Sequence, residues 1–318
     1  MKTAIGRGRA SVLVIGDEIL SGAVQDVNGA YFCRRLAELG LSVRRIEVVS
    51  DDIQEISDAL RKCCTDSELV LTSGGLGPTS DDVTRDAVAS FVGVPLILNH
   101  DSLQRMEDKY RERRIPLNKV SNRQVMFPES ATVLLNRAGT AECFSVRSDS
   151  GALIASFPGI PRELQIVFEE ILVPALEKDG IICPPLAAEH IKLFGLSESH
   201  IGDQIEKLGL QSSVRIGYRP MFPEILLKLT KPPECTGSLT LQNAVDRIVA
   251  AIGPEFVLCR SPLDSIADVL GELLIQTQRT VAFAESCTGG LASSLLSARP
   301  GASHYFCGAV VAYSNKVK

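Results

Sequence analysis

The chain has 318 residues, a formal net charge of -5, 45% hydrophobic residues and 22% charged residues. This length exceeds the usual size of one domain, so two or three domains are expected. The composition excludes an intrinsically disordered chain. The acidic balance is the opposite of the strong basicity that marks many nucleic-acid-binding proteins.

The apolar runs of the sequence indicate neither a signal peptide nor a membrane span. The run Val12–Ile15 is interrupted at once by Asp17 and Glu18, whereas a signal peptide needs a longer apolar region. No uncharged apolar stretch approaches the roughly 18 residues that a bilayer crossing needs. The nine cysteines are scattered without C-x-x-C spacing, which predicts buried, reduced thiols. We therefore expect a cytoplasmic protein without membrane contacts.

The first half of the chain alternates short β-branched runs with longer amphipathic segments, which is typical of β-α-β units and a parallel sheet. The predicted strands are 11–15, 43–49, 69–71 and 152–157. The predicted helices are 28–39, 51–63, 83–92 and 162–176. A charged segment, 101–114, offers few apolar side chains and is expected to be a solvated surface helix.

A glycine-rich loop follows the third predicted strand and precedes a helix. Gly74, Gly75 and Gly77 permit close backbone approach, so the loop's N–H groups and the helix N-terminus can form a phosphate-binding concavity. The spacing fits neither the P-loop nor the dinucleotide-binding fingerprint, and the loop has no lysine. The sequence therefore predicts a phosphate site whose positive charge comes from elsewhere.

Four acidic residues, Glu18, Asp51, Asp81 and Asp82, are expected at the carboxyl ends of the strands, where open α/β sheets bind ligands. Carboxylates beside a phosphate imply a divalent cation between them, because such ions favour carboxylate and phosphate oxygens together. The alternative is a simple tight turn, in which Asp82 caps a helix and Glu18 and Asp51 are surface acids. The residues alone leave both interpretations open.

Several motifs of the first domain resemble the molybdopterin-binding-like domain of the CinA family. They are 15–22 (IGDEILSG), Asn28, 74–84 (GGLGPTSDDVT), 118–124, Pro128, 136–141 and 157–164. The resemblance implies a three-layer α/β/α fold of the MogA-like type over residues 1–178, shared with molybdenum-cofactor biosynthesis proteins. The chain departs from the family pattern at Glu142 and Cys143, where Pro-Gly is usual, so we expect a rebuilt loop with an added negative charge.

The same resemblance implies metal-dependent hydrolysis of ADP-ribose to AMP and ribose 5-phosphate. It implies Glu18, Asp51 and Asp82 as metal ligands, with Asp81 and Asp82 as catalytic residues. The residues expected to bind phosphate or nucleotide are Gly74, Gly75, Gly77, Thr79 and Asn28. The expected metal is Co²⁺, Mn²⁺ or Mg²⁺, with K⁺ as a further candidate ion. The competing interpretation is a non-catalytic module that binds molybdopterin or a nucleotide, or that mediates an interaction.

The middle segment, 193–201 (LFGLSESHI), resembles the opening of the family's KH-like domain, a small α+β domain that we assign to residues 186–260. A working KH module clamps nucleotides with a G-x-x-G loop, and none lies between His190 and Lys231. Ser197 is interpreted as the N-cap of the following helix, and Glu198 as an acidic residue in the first turn of that helix. No nucleic-acid binding is expected, and Pro184-Pro185 is interpreted as a linker.

The last segment, 262–318, places Ser286 between an apolar strand and a helix, where a serine could be an exposed nucleophile. From the residues alone its base could be His304, Lys316 or Lys318. The segment resembles the family's nicotinamide mononucleotide deamidase domain, which implies Ser286 as nucleophile, Lys316 as base and Tyr313 as a supporting hydrogen-bond donor. Because the chain stops two residues after Lys316, we expect a partial α/β domain with little or no deamidase activity. The resemblance also implies that the chain forms a homodimer.

Overall fold

The computed structural model describes residues 8–112, 119–182, 186–232 and 234–318. The contacts group the chain into two compact units, Met1–Pro185 and Leu186–Lys318. Within the described ranges, no helix combines the length and the apolar character that a membrane crossing requires. The predicted linker at Pro184-Pro185, Cys183 and the first residue of the 118–124 motif lie outside these ranges.

The described residues of the first unit form eight strands. They are β1 (Arg9–Ile15), β2 (Ser42–Val49), β3 (Leu69–Ser73), β4 (Leu96–Leu98), β5 (Met126–Pro128), β6 (Thr132–Leu134), β7 (Cys143–Arg147) and β8 (Leu153–Phe157). Six form one sheet in the order β2-β1-β3-β8-β7-β6, and β4 pairs with β5 separately. The predicted parallel pairing is confirmed for β2, β1, β3 and β8. Strands β7 and β6, which the sequence-based prediction did not include, are antiparallel, and a tight turn at Ser148–Gly151 reverses the chain between β7 and β8.

The helices of the first unit are α1 (Asp17–Leu20), α2 (Asn28–Glu38), α3 (Ile53–Asp66), α4 (Thr84–Val92), α5 (His100–Glu112), α6 (Pro161–Val167) and α7 (Val173–Lys178). A 3₁₀ segment spans Lys119–Val125, and a π-helical turn, Phe168–Leu172, joins α6 to α7. The expected start of α3 is confirmed, since the Asp52 carboxylate accepts hydrogen bonds from the backbone N–H groups of Gln54 and Glu55 and so satisfies orphan donors of the first turn.

Alternation of side chains along β1 creates a core on each face of the sheet. Val12 and Val14 point to one face and pack with Phe32 of α2 and with helices α6 and α7. Leu13 and Ile15 point to the other face and pack with α3 and α4. Helices therefore cover both faces, and the first unit has the expected three-layer α/β/α architecture.

The second unit begins with a four-stranded antiparallel sheet. Its elements are β9 (Ala188–Phe194), α8 (Glu198–Lys207), β10 (Arg215–Met221), β11 (Glu224–Thr230), α9 (Leu241–Ile252) and β12 (Val257–Cys259). The strand order is β10-β11-β9-β12, and both helices pack on one face over Ile191 and Leu227. Ser197 caps α8 as expected, because its hydroxyl accepts from the N–H of His200.

The second unit ends with α10 (Ile266–Gln276), β13 (Val281–Glu285), α11 (Leu291–Ser297) and β14 (Phe306–Val311), in which β13 and β14 form a parallel pair. A buried ion pair joins Lys192 of β9 to Glu224 of β11 at 3.3 Å, and the Lys192 ammonium also donates to the carbonyl oxygen of Asp264 just before α10. The Glu224 carboxylate also accepts from the N–H of Ile266 (2.8 Å) at the start of α10. One sheet of two strands covers few side chains, so Cys287 and Cys307 are exposed, contrary to the expectation of buried thiols.

Candidate functional site

The glycine loop after β3 adopts a backbone that only glycine accommodates easily. Gly74 and Gly75 have φ angles of 111° and 64°. Residues with a Cβ atom rarely adopt such positive φ values, whereas glycine adopts them easily. A Cβ atom on Gly74 would lie 2.0 Å from the Ile15 carbonyl oxygen, and one on Gly75 would lie 2.2 Å from Thr84 Oγ1. The loop is therefore packed tightly against the end of β1 and the first residue of α4.

The Asp82 carboxylate shapes the second half of the loop. It accepts hydrogen bonds from the backbone N–H of Gly77 (2.6 Å), from the N–H of Thr79 (2.8 Å) and from the Thr79 hydroxyl (2.5 Å). Two of the loop's donors are thus already engaged. Among the described residues, the N–H groups of Gly75 and Leu76 donate to no protein acceptor, so they are free to bind a ligand.

The other predicted acids lie at the same edge of the sheet. Asp51 follows β2 and accepts from the N–H of Asp17 (3.0 Å). Burial raises the pKa of Asp51, and the negative charges of Asp17, Glu18 and Asp81 raise it further. Glu18 and Asp81 thus both lie close enough to Asp51 for their charges to raise its pKa, and the clustering that the sequence predicts is present around Asp51.

These carboxylates do not form a ready-made metal centre. In the part of the chain that the structure describes, no three His, Cys, Asp or Glu side chains converge on one ion position. The assignment of Glu18, Asp51 and Asp82 as metal ligands stays a prediction. For Asp82 the geometry adds a second role, since three loop hydrogen bonds already hold its carboxylate.

Asn28, at the start of α2, joins the glycine loop's strand to the loop after β8. Its Nδ2 donates to Ser73 Oγ (2.9 Å) and to the Gly159 carbonyl (2.7 Å). The side chain is 7% exposed, and its Oδ1 atom is buried without a hydrogen-bond partner. A buried amide oxygen in this state favours a donor group supplied by a ligand or water. The predicted ligand-binding role of Asn28 is consistent with this geometry and stays a prediction.

Arg123 provides a cation at the rim of the loop that the sequence-based prediction missed. Its guanidinium forms an ion pair with Asp86 (2.8 Å) and contacts the Thr79 carbonyl oxygen at 3.5 Å. The residue lies 44 positions after Thr79 along the chain, so no local motif reveals the contact. Its membership in the 118–124 motif was the only available signal.

The unusual Glu142 does not place its charge in the site. Its carboxylate forms an ion pair with Arg105 of α5 (2.7 Å) and accepts a hydrogen bond from the Ser102 hydroxyl. Burial opposes ionisation, but these two partners lower the pKa of Glu142 overall. The expected extra negative charge is therefore neutralised by α5. The predicted surface helix, α5, is mostly exposed or half-buried, although Ser102 and Met106 are buried.

In the second unit, Ser286 follows β13 as predicted, but no hydrogen bond joins it to its expected partners. Among the described residues, its hydroxyl bonds to neither Lys316 nor Tyr313, and both of these side chains are exposed. His304 Nδ1 lies 3.0 Å from the Gly301 carbonyl oxygen within its own loop. The roles of Ser286, Lys316 and Tyr313 stay predictions.

Glu285, which the sequence-based prediction overlooked, organises the same turn. Its carboxylate accepts from the N–H groups of Gly290 (3.0 Å), Ala292 (3.1 Å) and Ser293 (2.9 Å), at the start of α11. Hydrogen bonds from the Ser293 hydroxyl and from these backbone groups lower the pKa of Glu285 to about 2. The acid therefore occupies the helix N-terminus that an anionic ligand would otherwise use.

Both the first unit and the last segment of the chain match known protein families. Residues 11–178 match the family model described as "Probable molybdopterin binding domain", and residues 263–318 match the "CinA C-terminal domain" model. A CinA-like protein from Desulforapulum autotrophicum is 34% identical over 98% of this chain and 74% of its own length. A CinA-like protein from an Anaeromyxobacter species is 36% identical over 96% and 74% respectively. The crystal structure of CinA from Thermoplasma acidophilum is 34% identical, covers 54% of this chain and 98% of its own, and has a TM-score of 0.49.

The close packing of Gly75 predicts a loss of stability upon mutation to alanine. Gly93, at the end of α4, has a similar φ of 78° but nothing within 4 Å of its Cβ position, so Gly93→Ala is a matched control. Both substitutions introduce left-handed strain of about 1–2 kcal/mol, and only Gly75→Ala adds a collision with Thr84. We expect Gly75→Ala to destabilise the first unit by at least about 1 kcal/mol more than the control. Hydrogen exchange of the β1 and β3 amides in urea measures this difference, and equal losses would show that the loop is not tightly packed.

Proposed function

Since the chain belongs to the CinA family, we propose that its first unit is a metal-dependent phosphohydrolase that cleaves a nucleotide pyrophosphate such as ADP-ribose. The products would be AMP and ribose 5-phosphate. The observation that carries the proposal is the juxtaposition of a glycine loop with unused N–H groups and the carboxylates around Asp51 at one edge of the sheet. Fold alone would not support it, because one fold serves many functions.

The carboxylate oxygens of Asp51, Glu18 and Asp81 are the type of ligand that hard divalent cations bind. Asp51 carries a raised pKa partly because Glu18 and Asp81 repel its negative charge, and a cation placed among them would relieve this repulsion. Ions of the Mg²⁺ type usually bind through one or two carboxylates together with substrate phosphates, so a site without three converged protein ligands is compatible with them. Asp51, Glu18 and Asp81 are the residues that would hold the ion.

The chain's own groups have separate tasks in this scheme. The N–H groups of Gly75 and Leu76 bind a phosphate oxygen at the N-terminus of α4. Asn28 holds the loop after β8 in place and offers its free Oδ1 to the ligand. A bound divalent ion supplies charge neutralisation and a water molecule of lowered pKa. In the net reaction a water oxygen bonds to one phosphorus while the bridging P–O bond breaks.

Asp82 is assigned to loop shaping in this scheme, and this assignment separates it from Asp51 and Asp81. An asparagine at position 82 would place an amide group opposite the N–H donors of Gly77 and Thr79, which disturbs the loop. Substitution at 82 should therefore weaken substrate binding without changing the metal concentration needed for activity. Substitution at 51 or 81 should change the metal requirement instead.

We expect the purified chain to release AMP from ADP-ribose in the presence of Co²⁺, Mn²⁺ or Mg²⁺ and not in the presence of a chelator. Asp51→Asn and Asp81→Asn should each lower the rate by about a hundredfold, because each removes a charge that holds the ion. Asp149→Asn changes an exposed acid in the β7–β8 turn and should have no effect. Release of AMP is measured by chromatography at several metal concentrations.

Failure of the folded chain to release AMP with any metal would contradict the proposed activity. Binding of ADP-ribose without turnover would then favour the non-catalytic nucleotide- or molybdopterin-binding module. A rate that Asp51→Asn and Asp81→Asn leave unchanged would show that the metal, if required, binds elsewhere.

For the second unit, we propose that these 318 residues do not deamidate nicotinamide mononucleotide. The support is that, among the described residues, the Ser286 hydroxyl forms no hydrogen bond with Lys316, since a serine nucleophile needs an adjacent base. Ammonia release from nicotinamide mononucleotide should equal the background rate of a Ser286→Ala variant. A rate clearly above that of the variant would contradict the proposal.

A further inference from the structure

Arg85, the second residue of α4, is a buried cation directly behind the glycine loop. It is 3% exposed, and its guanidinium donates to the Leu76 carbonyl (2.8 Å) and to the Glu142 carbonyl (3.2 Å). The guanidinium carbon lies 5.4 Å from the centre of the Phe127 ring. The Nε atom has no hydrogen-bond partner. Arg85 therefore contacts the backbone of the loop from inside the protein.

No carboxylate in the described part of the chain forms an ion pair with Arg85, because the nearby acids are already engaged. Asp86 pairs with Arg123, and Glu142 pairs with Arg105. Burial lowers the pKa of Arg85 to about 10, while the charges of Asp82 and Asp86 oppose this and that of Arg123 adds to it. The side chain is thus still a cation at neutral pH.

A buried cation without an ion-pair partner does not favour the stability of the folded protein. Removing such a charge from water carries a desolvation cost, and apolar side chains of similar volume often serve a core better. The charge lies behind a loop in which the N–H groups of Gly75 and Leu76 donate to no protein acceptor, and this favours a partner that is not part of the protein. The glycine loop itself contains no lysine or arginine.

We propose that Arg85 supplies the positive charge of the phosphate site, in place of the loop lysine that other phosphate-binding loops carry. Arg85 does not touch the phosphate but acts through the loop, so it is a positioning residue. The proposal rests on the proposed function only in assuming that a phosphate binds at the glycine loop, and it requires no hydrolysis. The ligand class is a phosphate or diphosphate group.

Binding of inorganic pyrophosphate to the full chain, measured by calorimetry without metal, tests this assignment. We expect Arg85→Ala to bind pyrophosphate at least about tenfold more weakly than the wild-type chain, because hydrogen-bonded anions depend strongly on nearby fixed charge. Arg44→Ala, which removes an exposed arginine on β2, is the matched control and should leave the affinity unchanged.

Rescue by small molecules separates charge from packing. Guanidinium at low millimolar concentration should restore pyrophosphate binding to Arg85→Ala, whereas urea, which has the same planar shape but no charge, should not. Rescue by urea as effective as rescue by guanidinium would overturn the proposal, since it would show that only the hydrogen bonds to the loop matter. Undiminished binding by Arg85→Ala would overturn it too.

A second pair of variants covers the case in which Arg85→Ala does not fold. Arg85→Lys keeps a positive charge but loses the forked hydrogen bonds and the stacking of the guanidinium, so it should bind pyrophosphate at least about threefold more tightly than Arg85→Met, which has no charge. Equal losses in both variants would contradict the role of the charge, as would a wild-type chain that does not bind pyrophosphate. Pyrophosphate binding that depends on Arg85, combined with no hydrolysis of ADP-ribose, would leave this inference intact and defeat only the proposed function.

Discussion

The peptide unit between Leu76 and Gly77 lies between a cation and an anion, and the candidate site depends on this arrangement. Its carbonyl accepts from Arg85 inside the protein, and its N–H donates to Asp82 on the opposite side. The carbonyl and the N–H of a trans peptide point in opposite directions, so the two side chains together fix the plane of this unit. The neighbouring N–H groups of Gly75 and Leu76 are thereby held where a ligand could meet them.

The same constraint explains why the loop needs glycine and why its first half, Gly74–Gly77, carries no lysine or arginine. Gly74 and Gly75 allow the chain to turn beneath the Ile15 carbonyl and the Thr84 hydroxyl, which leaves no room for a side chain that could carry charge. Two cations contact the loop, Arg85 from behind it and Arg123 at its rim. Negative charge collects across the site at Asp51 and its acidic neighbours. This separation suits a phosphate at the loop and a cation at the acids.

Local chemistry made much of the first unit predictable. Alternating runs such as Val12–Ile15 identified the central strands, and Asp52 marked the start of α3 through an ordinary N-cap. The glycine loop and the acids at the strand ends followed from residue type and spacing. The antiparallel edge was not predictable in this way, because β6 and β7 are short strands whose pairing depends on a turn rather than on periodicity.

The features that sequence reasoning missed depend on contacts between residues distant along the chain. The sequence predicts that Glu142 adds a negative charge near the site. In the structure its carboxylate pairs with Arg105 and accepts a hydrogen bond from Ser102, which lie about 40 residues earlier in the chain. The sequence analysis did not identify Arg85, because nothing in the sequence indicates that this arginine is buried. Glu285 was overlooked in favour of Ser286, although its carboxylate caps α11.

The most direct test of the account is a crystal structure of the chain with Mn²⁺ and an ADP-ribose analogue whose bridging oxygen is replaced by methylene. The account predicts an anomalous Mn²⁺ peak beside Asp51, with Glu18 or Asp81 as a further ligand, and a phosphate oxygen within hydrogen-bond distance of the N–H groups of Gly75 and Leu76. An analogue bound with no metal at these carboxylates, or with its phosphates away from the glycine loop, would contradict it.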